Sequence, residues 1–176
     1  MTGGTAEGET GDELGLFTEW EDEQTPIVSE EHAIRDRALR LLARREHSRH
    51  ELERKLRAKG HVEAAIARVL DELTASDLVS DQRTAEAYVT ARMRKGYGPR
   101  RLRQELHERG VEDDLIVPLL DRYGEDWQER LALVAEKKFG PEAATDRKEL
   151  ARRARFLEYR GFPPDLVSRY LRGDRE

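Results

Sequence analysis

Few side chains in this chain of 176 residues have the types and spacing that catalysis or metal binding requires. There is no cysteine, which excludes thiol nucleophiles, thiolate metal ligands and disulfides. His47 and His50 lie three residues apart, and with the adjacent Glu46 and Glu51 they could hold a metal ion. A helix start predicted at Ser48 separates the two histidines, however. We therefore interpret both as solvated residues around a helix cap and expect no metal site.

Two further patterns that resemble catalytic motifs have simpler explanations. The acids Glu112, Asp113 and Asp114 fall where a first helical turn is expected, and carboxylates there complement the positive end of the helix dipole. Gly96 and Gly98 lack the preceding strand and the Lys-Ser/Thr ending of a phosphate-binding loop. We expect no active site and no cofactor.

Clustered bases are the strongest charge feature of the chain. Six bases and no acid lie in the twelve residues 92–103, here called the basic corner: Arg92, Arg94, Lys95, Arg100, Arg101 and Arg103. A second run, interrupted by Glu149, contains Arg147, Lys148, Arg152, Arg153 and Arg155. These guanidinium groups could neutralise nucleic-acid phosphates or pair with carboxylates on an acidic protein surface. The residues alone do not separate the two partners.

The elements that carry these bases follow an internal repeat. Gly60, Gly110 and Gly161 are 50 and 51 residues apart. Each has Leu four residues before it, Lys or Arg one before it, Ile or Val six after it and Leu ten after it. Apolar residues three and four apart between these glycines indicate helices. The sequence therefore predicts an all-α fold of three tandem three-helix repeats, residues 30–76, 77–124 and 125–176, forming an elongated, curved rod.

Local signals place several helix boundaries. Ser48 and Glu51 have the spacing of a capping box, and Pro99 suits the first residue of a helix. Pro118 lies inside the last helical pattern of the second repeat, where we expect a kink or a shifted start.

The segment 1–29 differs from the rest of the chain. It contains eight acids and no Lys or Arg, so the other 147 residues have 32 bases against 29 acids. We expect this acidic tail to be largely disordered. Its apolar cluster consists of Leu14, Leu16, Phe17 and Trp20, which either fold back on the first helices or dock on a partner. No secretory signal or bilayer-spanning stretch is evident, so we expect a cytoplasmic protein.

Taken together, these motifs resemble the RecX family of bacterial recombination regulators over about residues 33–172. The first repeat contributes Ser48, Glu51, Leu52, Lys55, Leu56 and Gly60; the junction contributes Leu78, Val79, Ser80, Asp81 and Ala85; the second repeat contributes Gly98, Leu102, Glu105, Leu106, Gly110 and Val111. Thr84 and Leu102 replace a Tyr and an Ile that are frequent in the family. The third repeat matches most loosely.

The resemblance implies a monomeric rod that binds the RecA recombinase, above all the RecA filament on single-stranded DNA. Such proteins lie in the filament groove and typically depress ATP hydrolysis and strand exchange. A stand-alone DNA-binding protein is the rival hypothesis, because three-helix units can place a helix in the major groove. A third hypothesis is a scaffold that acts through the tail residues Leu16, Phe17 and Trp20.

Overall fold

The computed structural model describes residues 25–173, apart from residues 125, 143 and 145. This part of the chain forms nine α-helices and no β-strand, which confirms the all-α prediction. The helices are α1 Thr25–Leu42, α2 Arg49–Arg57, α3 Glu63–Ala75, α4 Asp81–Met93, α5 Pro99–His107, α6 Asp113–Asp121, α7 Asp126–Phe139, α8 Arg147–Tyr159 and α9 Pro164–Arg172. Within the described ranges, no helix is both long and apolar enough to cross a membrane.

The nine helices form three successive units of three. Helices α1, α2 and α3 pack against one another, as do α4, α5 and α6, and then α7, α8 and α9. We call these groups units 1, 2 and 3. The predicted tandem three-helix architecture is therefore confirmed.

The first helix begins at Thr25, earlier than the apolar pattern from residue 30 indicated. Pro26 lies in its first turn, where a missing N–H breaks no helical hydrogen bond. Residues 1–24, and with them the apolar cluster of the acidic tail, lie outside the described residues. In unit 2, α6 begins at Asp113 and continues through Pro118 to Asp121, so the proline does not displace the helix start.

Leucines at the same position of each repeat fill the cores. Leu56, Leu106 and Leu157 each lie four residues before a repeat glycine, and all three are fully buried. Unit 1 has a core of its own, whereas units 2 and 3 share one continuous apolar cluster that includes Trp127 and Phe162. The repeat pattern thus identifies the packing positions correctly.

The middle helices of the three units meet end to end. The amide N–H groups of Gly98 and Arg100, at the start of α5, donate to the carbonyl oxygens of Arg160 and Gly161 after the end of α8, at 2.8 and 3.0 Å. The Ser48 hydroxyl before α2 likewise donates to the carbonyl beyond α5. The last carbonyls of a helix and its first N–H groups have no partner within their own helix. The junction between α5 and α8 pairs groups of both kinds, whereas between α2 and α5 the Ser48 hydroxyl is the donor.

Two repeat glycines lie directly in these junctions. A Cβ atom on Gly110 would overlap His50 Cβ, and one on Gly161 would come within 2.6 Å of the Arg101 backbone nitrogen. Gly60, at the outer end of unit 1, has nothing within 4 Å of that position. All three glycines adopt positive φ, but only at Gly110 and Gly161 does the packing also leave no room for a side chain.

This difference predicts unequal costs for the same substitution. Gly60→Ala should lower the free energy of unfolding by about 1–2 kcal/mol, the cost of a left-handed alanine. Gly110→Ala should cost about 2 kcal/mol more, because the junction must also open around His50. Urea denaturation followed by circular dichroism measures both values. Equal destabilisation of the two variants would contradict the tight junction.

Candidate functional site

The basic corner is organised around one carboxylate, Glu105 on α5. It accepts hydrogen bonds from the Tyr88 hydroxyl at 2.7 Å, from Arg92 Nε at 2.7 Å and from Arg101 Nε at 3.0 Å. A second nitrogen of Arg92 also donates to it. The side chain of Glu105 is only 13% exposed, so four donor groups from three side chains surround a mostly desolvated charge. Two of the six bases in the corner are thus committed to an internal ion pair.

The same arginines stack on aromatic rings. The guanidinium carbons of Arg92, Arg101 and Arg160 lie 4.0, 4.6 and 5.2 Å from the centre of the Tyr97 ring. Arg160 belongs to unit 3, and its Nη1 donates to the Lys95 carbonyl at 2.9 Å. Cation–π stacking therefore helps to join units 2 and 3 at this corner.

The environment of Glu105 shifts two pKa values. Burial by itself would raise the pKa of Glu105, but the hydrogen bonds from Arg92, Tyr88 and Arg101 outweigh it and lower the pKa to about 2. Burial, together with the hydrogen bond to Glu105, raises the pKa of Tyr88 to about 12. At neutral pH the carboxylate is charged and the phenol neutral, so the cluster is a stable ion pair with no proton poised for transfer.

Arg103 is also paired, although nearer the surface. Its Nε and Nη2 donate to both oxygens of Asp113 at 2.9 and 2.6 Å, and His107 Nε2 lies 2.9 Å from the same carboxylate. About half of the Arg103 side chain is exposed, so this pair contributes little stability.

Arg94, Lys95 and Arg100 differ from the other three bases. All three are exposed, and no described acid lies within 4 Å of their charged groups. The candidate site therefore divides into three arginines with internal partners and three bases available to an external one. The sequence alone does not distinguish the three paired bases from the three unpaired ones.

The second basic run is also divided. Arg152 and Arg153 on α8 both pair with Glu149, at 3.1 and 3.0 Å, and Arg153 also donates to the Glu142 carbonyl. Arg155 is exposed, and no acid of the described segment pairs with it.

Units 2 and 3 enclose a cleft of about 410 Å³ next to the basic corner. Arg94 and Lys95 line one side, and Lys137 and Lys138 from the end of α7 line the other. We call this the unit 2–3 cleft; Arg152, Arg153 and Arg155 do not line it. Sequence reasoning missed Lys137 and Lys138. The sequence does contain a signal for them. Two lysines follow Leu133 by about one helical turn, and Leu133 lies outside the buried apolar stripe of α7.

His47 corrects an expectation. We expected it to be solvated, but it is buried, with Nδ1 3.0 Å from the Arg45 carbonyl and Nε2 2.7 Å from Lys55 Nζ. Burial lowers the pKa of His47, so the neutral ring donates to the carbonyl and accepts from the lysine. His50 is exposed and packs at Gly110 instead. Across the described ranges, no group of three or more His, Cys, Asp or Glu could hold a metal ion.

Comparison with protein-family models matches each unit separately. The first, second and third three-helix domains of RecX match residues 35–73, 80–117 and 124–171. The chain belongs to the RecX family. The third repeat, whose motifs resemble the family least, thus matches a domain of its own.

RecX proteins of known sequence support this assignment. The regulatory protein RecX of Pseudomonas syringae pv. tomato is 46% identical over 141 residues, which cover 80% of this chain and 91% of the relative. RecX of Halorhodospira halophila is 44% identical over 135 residues, 77% of this chain and 84% of that protein. The crystal structure of RecX from Lactobacillus salivarius shares the fold, with a TM-score of 0.72 at 24% identity over 83% of this chain and 97% of that one.

The charged core of the corner predicts a pH-dependent stability. Because the pKa of Glu105 is depressed in the folded chain, its carboxylate stabilises the fold above the unfolded pKa, near 4.5, and this contribution is lost as the pH falls towards 2. Glu105→Gln should lower the free energy of unfolding by about 2 kcal/mol at pH 7 and by less than half of that at pH 3. Urea denaturation at both pH values measures this.

Glu136→Gln is the matched control, since Glu136 is exposed on α7 and no described cation pairs with it. It should change stability little at either pH. If the effect of Glu105→Gln does not depend on pH, the charged cluster does not stabilise unit 2.

Proposed function

We propose that this RecX-family chain binds RecA and the RecA filament on single-stranded DNA, and that it restrains recombination and ATP hydrolysis. The observation that carries the proposal is the group of exposed, unpaired bases on the central unit. Arg94, Lys95 and Arg100 have no described acid within 4 Å, and each is therefore available to an acidic partner surface.

The repeated architecture supports a partner that is itself repetitive. Three units joined in a row can contact successive subunits of a filament. Linked weak contacts then act together, because each bound unit raises the effective concentration of the next. Restraint of the filament follows when one chain contacts neighbouring subunits and opposes the movements that accompany ATP hydrolysis and strand exchange.

Stand-alone DNA binding is the rival function. Proteins usually hold the nucleobases of single-stranded nucleic acid by stacking them on open aromatic rings. At the basic corner, Tyr97 is stacked against the guanidinium groups of Arg92 and Arg101, and Tyr88 against that of Arg109 at 4.1 Å. This arrangement favours a carboxylate-bearing protein over a stacked nucleic acid.

Reversing the three unpaired charges tests the proposal. The triple variant Arg94→Glu, Lys95→Glu, Arg100→Glu should keep the circular dichroism spectrum and weaken inhibition of RecA ATPase on single-stranded DNA by about tenfold, because it removes attraction at the interface. Arg101 and Arg103 stay unchanged, since Glu in their place would face Glu105 or Asp113. Co-sedimentation with RecA filaments measures binding directly.

The control is the triple variant Arg44→Glu, Arg54→Glu, Lys59→Glu. It makes the same change in net charge at three exposed residues of unit 1 that pair with no described acid. Equal inhibition by wild type and the unit 2 variant would refute the role of the corner. Tight, salt-dependent binding of labelled DNA without RecA, measured by fluorescence anisotropy, would favour stand-alone DNA binding.

Deleting residues 1–24, which leaves α1 whole, tests the scaffold hypothesis. Loss of inhibition in this variant would assign the activity to the tail.

A further inference from the structure

The unit 2–3 cleft has a strongly one-sided charge. Six of its lining residues are cations and none is an acid. Arg94, Lys95, Lys137 and Lys138 pair with no acid of the described segment, and the nearest acid to Arg130 is Asp126 at 3.9 Å, an exposed pair. The cleft therefore holds a positive potential that the fold itself does not neutralise.

The cleft also contains apolar surface that the fold leaves uncovered. Leu133 lines it with 58% of its surface exposed, although Leu131 and Ala135, two residues away on either side, are buried. Met93, Val134 and Phe162 form more of the lining. Covering a leucine of this kind with an apolar group removes apolar surface from water, which is favourable, so the cleft can bind a bulky apolar side chain as well as negative charge.

The aromatic rings of the cleft are already occupied. Phe156 has the Arg160 guanidinium at 5.1 Å, Lys138 Nζ at 5.8 Å and the edge-on Phe139 ring at 5.3 Å. Tyr97 is stacked against three arginines. Because stacking of nucleobases needs an open ring face, this lining suits a protein segment better than a single-stranded nucleic acid.

The other junction offers a contrast. The groove between units 1 and 2 contains Arg83, but Glu46 and Asp77 both pair with it, at 3.2 and 2.6 Å, and Glu86 lines the same groove. Arg94 lines this groove too, so two acids, Glu46 and Glu86, face two cations, and the charges of the lining balance in number. In the described part of the chain, the junction between units 2 and 3 is therefore the one that combines unpaired cations with an exposed leucine.

We propose that the unit 2–3 cleft is a docking site for an acidic segment of the partner protein. The segment places one aromatic or branched aliphatic side chain against Leu133, and carboxylates on both sides of that side chain pair with Lys137 and Lys138 and with Arg94 and Lys95. This inference rests on the proposed function for the identity of the partner, but the chemistry of the cleft is testable without RecA.

The first test uses the full-length chain and a fluorescent peptide of alternating Glu and Asp around one central Phe. Anisotropy should show binding of this peptide, and at least about tenfold weaker binding of the same peptide with Ala in place of Phe, which corresponds to about 1.4 kcal/mol. Leu133→Ser should abolish this preference for Phe. Leu39→Ser, at another partly exposed leucine, should leave it unchanged.

Charge reversal of the cleft gives an independent readout. The double variant Lys137→Glu, Lys138→Glu should bind both peptides about tenfold more weakly. Arg44→Glu with Arg54→Glu, on exposed residues of unit 1 outside the cleft, should leave both affinities within about twofold.

The outcomes distinguish the cleft from the proposed function. If the Phe and Ala peptides bind equally, or if Leu133→Ser has no effect, the cleft proposal is overturned even when RecA filaments still bind. If an oligothymidine binds and loses affinity with Leu133→Ser, the cleft is a nucleic-acid site and the proposal is also overturned. Failure of the wild type to co-sediment with RecA, with the peptide results as expected, would overturn the proposed function alone.

Discussion

The arrangement of the three units depends on how helix ends satisfy their free backbone groups. An isolated helix leaves its first N–H and last C=O groups without partners, and burying them unpaired is costly. Here the start of α5 donates to the carbonyls of Arg160 and Gly161, and the Ser48 hydroxyl caps α2 while it donates to the end of α5. Each repeat therefore supplies the cap that its neighbour needs, and the units become a single array.

Ion pairs at the junctions decide how much charge remains for partners. Glu51 is buried in the first turn of α2 and accepts a hydrogen bond from Arg45 at 2.9 Å. Nε of Arg109, in unit 2, lies 3.6 Å from the same carboxylate. Its burial would raise its pKa, but the Arg45 hydrogen bond and both arginine charges keep the pKa below its usual value. Glu105 holds Arg92 and Arg101 in the same way. Buried carboxylates thus keep several arginines in structural positions.

Four cations without an acidic partner in the described segment, Arg94, Lys95, Lys137 and Lys138, lie together in the unit 2–3 cleft. Arg94 and Lys95 contribute both to the basic corner and to the unit 2–3 cleft, so the two surfaces are continuous. The two junctions are built differently: backbone N–H groups donate to Arg160 and Gly161 at one, and the Ser48 hydroxyl donates to Arg109 at the other. Differences of this kind between junctions confer specificity. The cation-lined cleft beside Leu133 is such a difference, and it connects the proposed RecA binding to one definable part of the surface.

The sequence by itself determined the helices, the three repeats and the core leucines, because caps, glycine stops and apolar spacing act within a few residues of each other. Ser48, Glu51 and Gly110 were recognisable for this reason, and their motifs also indicated the RecX family. Only the tertiary structure decided which bases are available and that His47 is buried. The pairing of Arg92 with Glu105, and the position of Lys137 across the cleft from Arg94, depend on contacts between separate helices, and no local pattern encodes those distances.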